Sequence, residues 1–201
     1  MTPIRGMVWR WWGMGGTLLW SAVLLALLAA GAVYPVLASA SRTANFALPR
    51  SLNGTAYMAT DPLNAGDAAA IAWLDDPAHV SGDPVIVEAT GGEYSHFGRV
   101  SAFTGLPTIM GWSGHEWQWR ATWLVEPQHA GELERRLADI NAIYTNPDPR
   151  VVLATLARYH VRYLYIGAAE RSAYPGTNLN RFSVYMRIVF QRQGVTIYQV
   201  V

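Results

Sequence analysis

Cysteine is absent from this sequence. That excludes disulfide frameworks, thiolate zinc sites, iron–sulfur clusters and cysteine nucleophiles. Lysine is absent too, since all 15 basic residues are arginine, so no phosphate loop of the Gly-Lys type can be built. An excess of one charge is also lacking. The formal net charge is +1, and no strong field points to nucleic acid. What is abundant is apolar side chain, 51% of 201 residues. That length suits one ordinary domain with an appendage and a sizeable core.

Arg10 and Arg42 bound an uncharged stretch, and within it Thr17 to Leu37 is almost wholly Leu, Ala, Val and Trp. As a helix these residues would reach about 32 Å at ~1.5 Å per residue, enough for a ~30 Å hydrocarbon core. Trp11, Trp12 and Trp20 near its start and Tyr34 near its end suit interfacial positions. Arg5 and Arg10 precede it with no acidic partner. The positive-inside rule therefore puts residues 1–16 in the cytoplasm, 17–37 across the membrane and the remainder outside. Ala38-Ser39-Ala40 would also fit a signal-peptide cleavage site, but the apolar run exceeds the ~7–15 residues of a signal core, which favours a retained anchor over a cleaved signal or a buried soluble helix.

Residues 38–56 read as a tether, and Asn53-Gly54-Thr55 within them matches a glycosylation sequon. Residues 57–201 read as an extracytoplasmic α/β domain. Asn64-Ala65-Gly66-Asp67 reads as a turn and cap before a helix over Ala68–Leu74. Pro84–Ala89 and Val161–Ile166 read as buried strands, and Thr108–Met110 as a short one. Glu132–Tyr144 carries Leu133, Leu137, Ile140 and Ile143 at helical spacing, and Pro149–Tyr159 opens on a proline that a first turn accepts. Met186–Phe190 and Val195–Val201 read as a terminal hairpin. Helices alternating with short strands point to a small α/β sandwich. Residues 112–123, rich in tryptophan, fit neither regular period and read as a long ordered loop whose indoles anchor a core.

In open α/β sheets ligands lie beyond the carboxyl ends of strands. Two strands run there into polar loops, one bearing Glu88, Glu93, Tyr94 and Arg99, the other Glu170 and Arg171; a third polar segment bears His115, Glu116 and Arg120. Carboxylates, guanidinium groups and indoles together suit a polyhydroxylated ligand. If the two strands are parallel neighbours, these groups would gather on one edge as a polar cleft for a neutral glycan. The competing reading is that Glu88 pairs with Arg99 to satisfy burial. Glu116 and Arg120 are spaced for a helical ion pair.

Catalytic motifs fail on inspection. His115-Glu116 opens like a zinc helix, but Trp119 stands at the second histidine. Gly111-Trp112-Ser113-Gly114-His115 misses the nucleophile elbow by its last residue. Glu88 and Glu93 form at most a weak glycosidase-like pair. No metal or cofactor is implied.

The run Glu88-Ala-Thr-Gly-Gly-Glu-Tyr-Ser, with Arg99-Val-Ser, Thr104-Gly-Leu-Pro-Thr, Gly111-Trp and His115-Glu-Trp-Gln-Trp-Arg120, resembles the so-called YYY membrane proteins of bacteria and archaea. So do Leu52-Asn-Gly-Thr-Ala-Tyr-Met58 and Val161-Arg-Tyr-Leu-Tyr-Ile-Gly167 with Glu170-Arg171. The similarity spans nearly all of residues 34–201. That family is polytopic, of unassigned function, and looks like membrane glycosyltransferases that use lipid-linked sugars. Their catalytic carboxylate lies in an early extracytoplasmic loop, which has no counterpart here. The resemblance implies the exported C-terminal piece of such a protein, as a fragment or a separate subunit beside a polytopic partner encoded nearby. Glycan or lipid-linked sugar would be its ligand and the bilayer its support. A stand-alone exported glycan hydrolase and a purely structural or remnant domain are the rivals.

The topology is open to a direct test. Protease added to intact cells should digest residues beyond Arg42, and an alkaline carbonate wash should leave the anchor in the membrane. A mature N-terminus at Ser41 would show a cleaved signal instead.

Overall fold

The computed structural model describes residues 4–47, 56–60 and 65–201, with side chains from Gly15 onward except at Ala59, Thr60 and Ala65. The chain divides into two compact units, Met1–Leu52 and Asn53–Val201.

The first unit is a single long helix, α1 (Ile4–Arg42). Its stretch Gly15–Arg42 is long and apolar enough to cross a membrane, with mean hydropathy 2.1 and no burial against protein. Leu18, Leu19, Trp20, Leu24, Leu25 and Leu28 are all exposed. An apolar surface of that kind all round the helix is the length and composition of a candidate membrane span. Pro35 lies inside the helix. The helix runs on through Arg42 and a turn follows to Ala47, so residues 38–42, expected at the start of the tether, are helical. The sequon at Asn53 and the capping Asn64 lie outside the described residues.

The second unit combines helices with one four-stranded sheet. Its elements are α2 (Ala56–Thr60), α3 (Ala65–Leu74), β1 (Val85–Val87), α4 (Arg99–Thr104), α5 (Ser113–Leu124), α6 (Glu132–Thr145), α7 (Pro149–Arg158), β2 (Val161–Ile166), α8 (Ala168–Ala173), β3 (Arg187–Arg192) and β4 (Val195–Gln199). The strand order is β1-β2-β4-β3. β1 and β2 are parallel, with Ile86 beside Tyr163. β4 runs antiparallel to both β2 and β3, and the β3–β4 hairpin turns at Gln193-Gly194. The short strand expected at Thr108–Met110 reduces to one parallel bridge between Thr108 and Ile86.

The sheet is apolar on both faces, which is why its strands read as continuous runs rather than alternating ones. Val87, Leu164, Ile166 and Tyr198 join Ile140, Ile143 and Tyr144 of α6 and Val152 and Leu156 of α7 in one core. Ile86, Tyr163, Tyr165 and Ile197 join Met58 of α2, Ile71 and Leu74 of α3 and Val100 of α4 in the other. Met58 is buried in this core, and the helix that carries it starts at Ala56, one residue before the expected start of the domain at 57. Leu137, expected in the stripe of α6, is exposed. Asp148 caps α7 by accepting from the Arg150 amide at 2.9 Å, with Pro149 next to it in the first turn.

The loop expected over residues 112–123 is instead a helix, α5, with a kink at Arg120 (φ −117°, ψ 16°). Its ends are held and its middle is not. Leu124 is buried, whereas Trp117 and Trp119 are 53% and 80% exposed. No single face is covered, so no 3.6-residue period is written into it. The indoles at 117 and 119 are not core anchors.

Gly66 gives the fold a sharp test. A Cβ there would press on the Gln193 carbonyl oxygen and the Val195 side chain of the β3–β4 hairpin. Alanine in a helix gains up to ~1 kcal/mol over glycine, but overpacking against backbone costs ~1–3 kcal/mol. Gly66→Ala is expected to destabilise the domain by about 1–2 kcal/mol in denaturant melts; an equal or higher stability would mean the hairpin shifts freely.

Candidate functional site

The carboxyl ends of β1 and β2 meet in a buried ionic cluster. Arg99, first residue of α4, is its centre. Its Nε and Nη2 donate to the two oxygens of Asp67 at 2.6 and 3.1 Å. Nη2 and Nη1 also donate to Glu170 Oε2 and Oε1 at 3.1 and 3.4 Å. Nη1 lies 3.7 Å from Glu88 Oε2. Arg99, Asp67, Glu88 and Glu170 are all buried, the two glutamates completely. The Tyr165 hydroxyl donates to Asp67 at 2.6 Å, and the guanidinium lies over that ring at 5.2 Å.

The carboxylates do more than balance Arg99. Glu88, just past β1, accepts from the Val100 and Ser101 amides at 3.0 and 2.8 Å, which are otherwise unpaired at the start of α4. Glu170 accepts from Gly167 at 2.7 Å and from Ala89 at 3.1 Å, tying the end of β2 to the end of β1. At Gly167 a Cβ would lie 2.8 Å from Arg99 Nη2 and 2.9 Å from Asp67 Oδ1, so only glycine lets the strand pass this close. The Tyr144 hydroxyl, 2.9 and 3.2 Å from the Tyr165 and Val87 carbonyls, spans the same two strands.

Three carboxylates face one guanidinium, all of them buried. Burial pushes the Glu88 carboxyl up to about 7, against the lowering pull of the Ser101 and Val100 amides and Arg99. Burial works against the Arg99 charge, but Glu170 and Asp67 outweigh it and hold the guanidinium above its ordinary value. Glu88 has no path to solvent and both its oxygens are occupied, so it cannot serve a substrate as a general acid. The pairing of Glu88 with Arg99 is present, and Glu170 joins it in a latch rather than a cleft.

The remaining candidates fall in separate places. Glu93 accepts from the Gly114 amide at 2.7 Å, in the first turn of α5. Its own amide and that of Gly114 hold its carboxyl below the ordinary range. Beside it, the rings of Tyr94, Trp112 and His115 form a triangle with centroids 5.0 to 5.5 Å apart. The Tyr94 hydroxyl and His115 Nε2 are 3.2 Å apart, and Trp112 Nε1 donates to the Phe97 carbonyl at 2.6 Å. Tyr94 is 85% exposed in the left-handed region, φ 57°. Glu116 pairs with Arg120 at 3.1 Å, as their spacing implied. Arg171 lies apart and donates to the Gly194 carbonyl in the hairpin turn.

A cavity of about 350 Å³ opens next to the triangle, lined by Ser95, His96, Phe97, Ala168, Ala169 and Ser172, with Arg99 and Asp67 also against it. It lies where the loops after two parallel strands diverge, the position expected of a ligand site in such sheets. Ser95 Oγ donates to the Gly92 carbonyl, and among the described residues no hydroxyl–imidazole–carboxylate relay reaches the cavity. No group of three metal-binding side chains occurs among the described residues either. The arrangement can hold a ligand by stacking and hydrogen bonding. Comparison with protein families, curated proteins and solved structures finds no match to this chain.

Asp67, Tyr165 and Trp112 are the partners that sequence reasoning did not assign to the site. Asp67 looked like a helix cap, and its tie to Arg99 spans 32 residues with no spacing rule to reveal it.

The latch sets a pH dependence with a definite sign. With a folded value near 7 against 4.5 for a free side chain, folded Glu88 keeps a proton that the unfolded chain releases. Its contribution to stability is therefore largest below 4.5 and falls as pH rises to about 7. The wild-type melting temperature is expected to drop across this window more than that of Glu88→Gln. Parallel profiles would show that Glu88 stays ionised in the fold.

Proposed function

We propose that this chain is a membrane-anchored, exported α/β sandwich that binds glycan for a glycosyltransferase-like membrane assembly of the YYY type. It supplies a binding surface and no catalytic group. Residues 1–16 lie in the cytoplasm, residues 17–37 of α1 span the bilayer, and the Asn53–Val201 unit is extracytoplasmic beside a polytopic catalytic partner. The observation that carries this reading is the Tyr94–Trp112–His115 triangle, with Tyr94 exposed and Trp112 bonded to the carbonyl of Phe97, a residue that lines the cavity beyond the parallel strands. Aromatic faces with a carboxylate and an imidazole at their edge suit a neutral sugar ring. The apolar length of α1 supports the membrane setting.

Tyr94 carries the test, because its left-handed backbone is strained for a large side chain and glycine relieves that strain. Tyr94→Gly therefore removes the ring without loosening the fold. Titration of the detergent-solubilised chain with neutral oligosaccharides should show binding that falls roughly tenfold or more in this variant, a loss of ~1.4 kcal/mol, at unchanged melting temperature. Absence of binding to any neutral glycan by the folded wild type would remove the proposal.

A further inference from the structure

The arginines of the Asn53–Val201 unit divide sharply. Arg99, Arg120, Arg135, Arg136, Arg150 and Arg158 each lie against a carboxylate. Arg171 and Arg181 donate to backbone carbonyls. Arg162, Arg187 and Arg192 have no carboxylate within ion-pair distance among the described residues. Arg162 lies over the Tyr163 ring at 5.9 Å, and Arg187 donates to the Gln199 side chain. These three line two adjoining cavities of about 570 and 430 Å³, which share Trp73, His79 and Val189.

The two cavities make one groove between α3 and the edge strand β3. Trp73 lies in its middle, edge-on to Tyr163 at 6.1 Å and 6.0 Å from Phe190. Arg187 lies on the same rung as Gln199 and Tyr163, near the amino end of β2, while Arg192 lies opposite Val195 at the hairpin turn. They stand five steps apart along the strand, about 16 Å at ~3.3 Å per residue. Among the described residues Asp76 is the one carboxylate lining the groove, and His79 Nδ1 meets it at 3.2 Å. With histidine neutral, three arginines and one aspartate leave the groove with a charge of +2.

We infer that this groove binds an extended acidic glycan, a sugar chain carrying carboxylate or phosphate groups. Arginine forks match either group. Separation of the cations along the strand favours a chain with repeating charge over one small anion, and the aromatic floor gives sugar rings an apolar face. A concave groove with its tryptophan half-buried does not fit a flat bilayer surface. The inference rests on the reading of the chain as a glycan binder but uses a different surface from the Tyr94 triangle.

The test uses the full chain in nanodiscs of zwitterionic lipid, titrated with oligogalacturonate, its neutral methyl ester, a polyribitol phosphate oligomer and inorganic pyrophosphate. Oligogalacturonate or polyribitol phosphate is expected to bind, the neutral ester not, and added salt should weaken binding by screening. Each of Arg162→Gln, Arg187→Gln and Arg192→Gln should weaken it roughly tenfold, the scale of one charge-assisted contact. Arg150→Gln, an exposed arginine elsewhere, and Tyr94→Gly should leave it unchanged. Tyr94→Gly thus separates this groove from the neutral-glycan site, since either can fail alone. Equal binding by the triple variant, pyrophosphate binding as tightly as the oligomers, no acidic oligomer bound, or binding only to phosphatidylglycerol vesicles would each overturn the inference.

Discussion

One guanidinium organises the second unit. Arg99 is buried with three carboxylates around it; Glu88 and Glu170 also take backbone amides from different stretches of chain, and Asp67 takes the Tyr165 hydroxyl. Asp67 belongs to α3, Glu88 to the end of β1, and Glu170 to α8 after β2. The latch thereby fixes where the first and second strands end, where α4 starts, and how the loop from Ala89 to Gly98 must run. Removing the cation would leave charges buried without a partner, which typically costs ~3–5 kcal/mol. A binding loop anchored at both ends by such a cluster can present exposed rings without depending on them for its shape.

That arrangement separates the groups that hold the fold from the groups that meet solvent. The polar groups at the sheet edge that are fully buried hold the backbone, and exposed Tyr94, with half-buried Trp112 and His115 beside it, is carried on the same loop and against α5. Backbone strain at Tyr94 is placed on this exposed turn, where the latch and the Glu93–Gly114 bond over-determine the chain.

Much of the fold was legible in the chain. Buried parallel strands announce themselves as β-branched runs, so Val85–Val87 and Val161–Ile166 stood out, as did the terminal hairpin and the amphipathic α6 and α7. The pairing of Glu88 with Arg99 followed from the rule that a buried charge needs a partner. Two things were hidden. Helix α5 is held by its ends and half-exposed along its length, so its residues carry no period. The site's geometry depends on contacts such as Asp67–Arg99 and Glu170–Ala89 that span 32 and 81 residues, and a linear pattern has no means of recording which of several acids meets which arginine. The candidates at the sheet edge were therefore found as a set, but the division into a latch, an aromatic triangle and the separate Arg171 was not.

The strand order leaves β3 at one border of the sheet, whereas β1 at the other is partly shielded by its bridge to Thr108. An open border is a template on which another chain's strand can pair, and proteins commonly blunt it with charge. Arg187 and Arg192 stand at the two ends of β3 and do this here, while Ile188 between them is 40% exposed. The same two arginines therefore guard the molecule against self-association. Any lineage that gave up its anionic ligand would still be under pressure to keep them, and one that neutralised them would trade lost recognition for a chain prone to stack edge to edge.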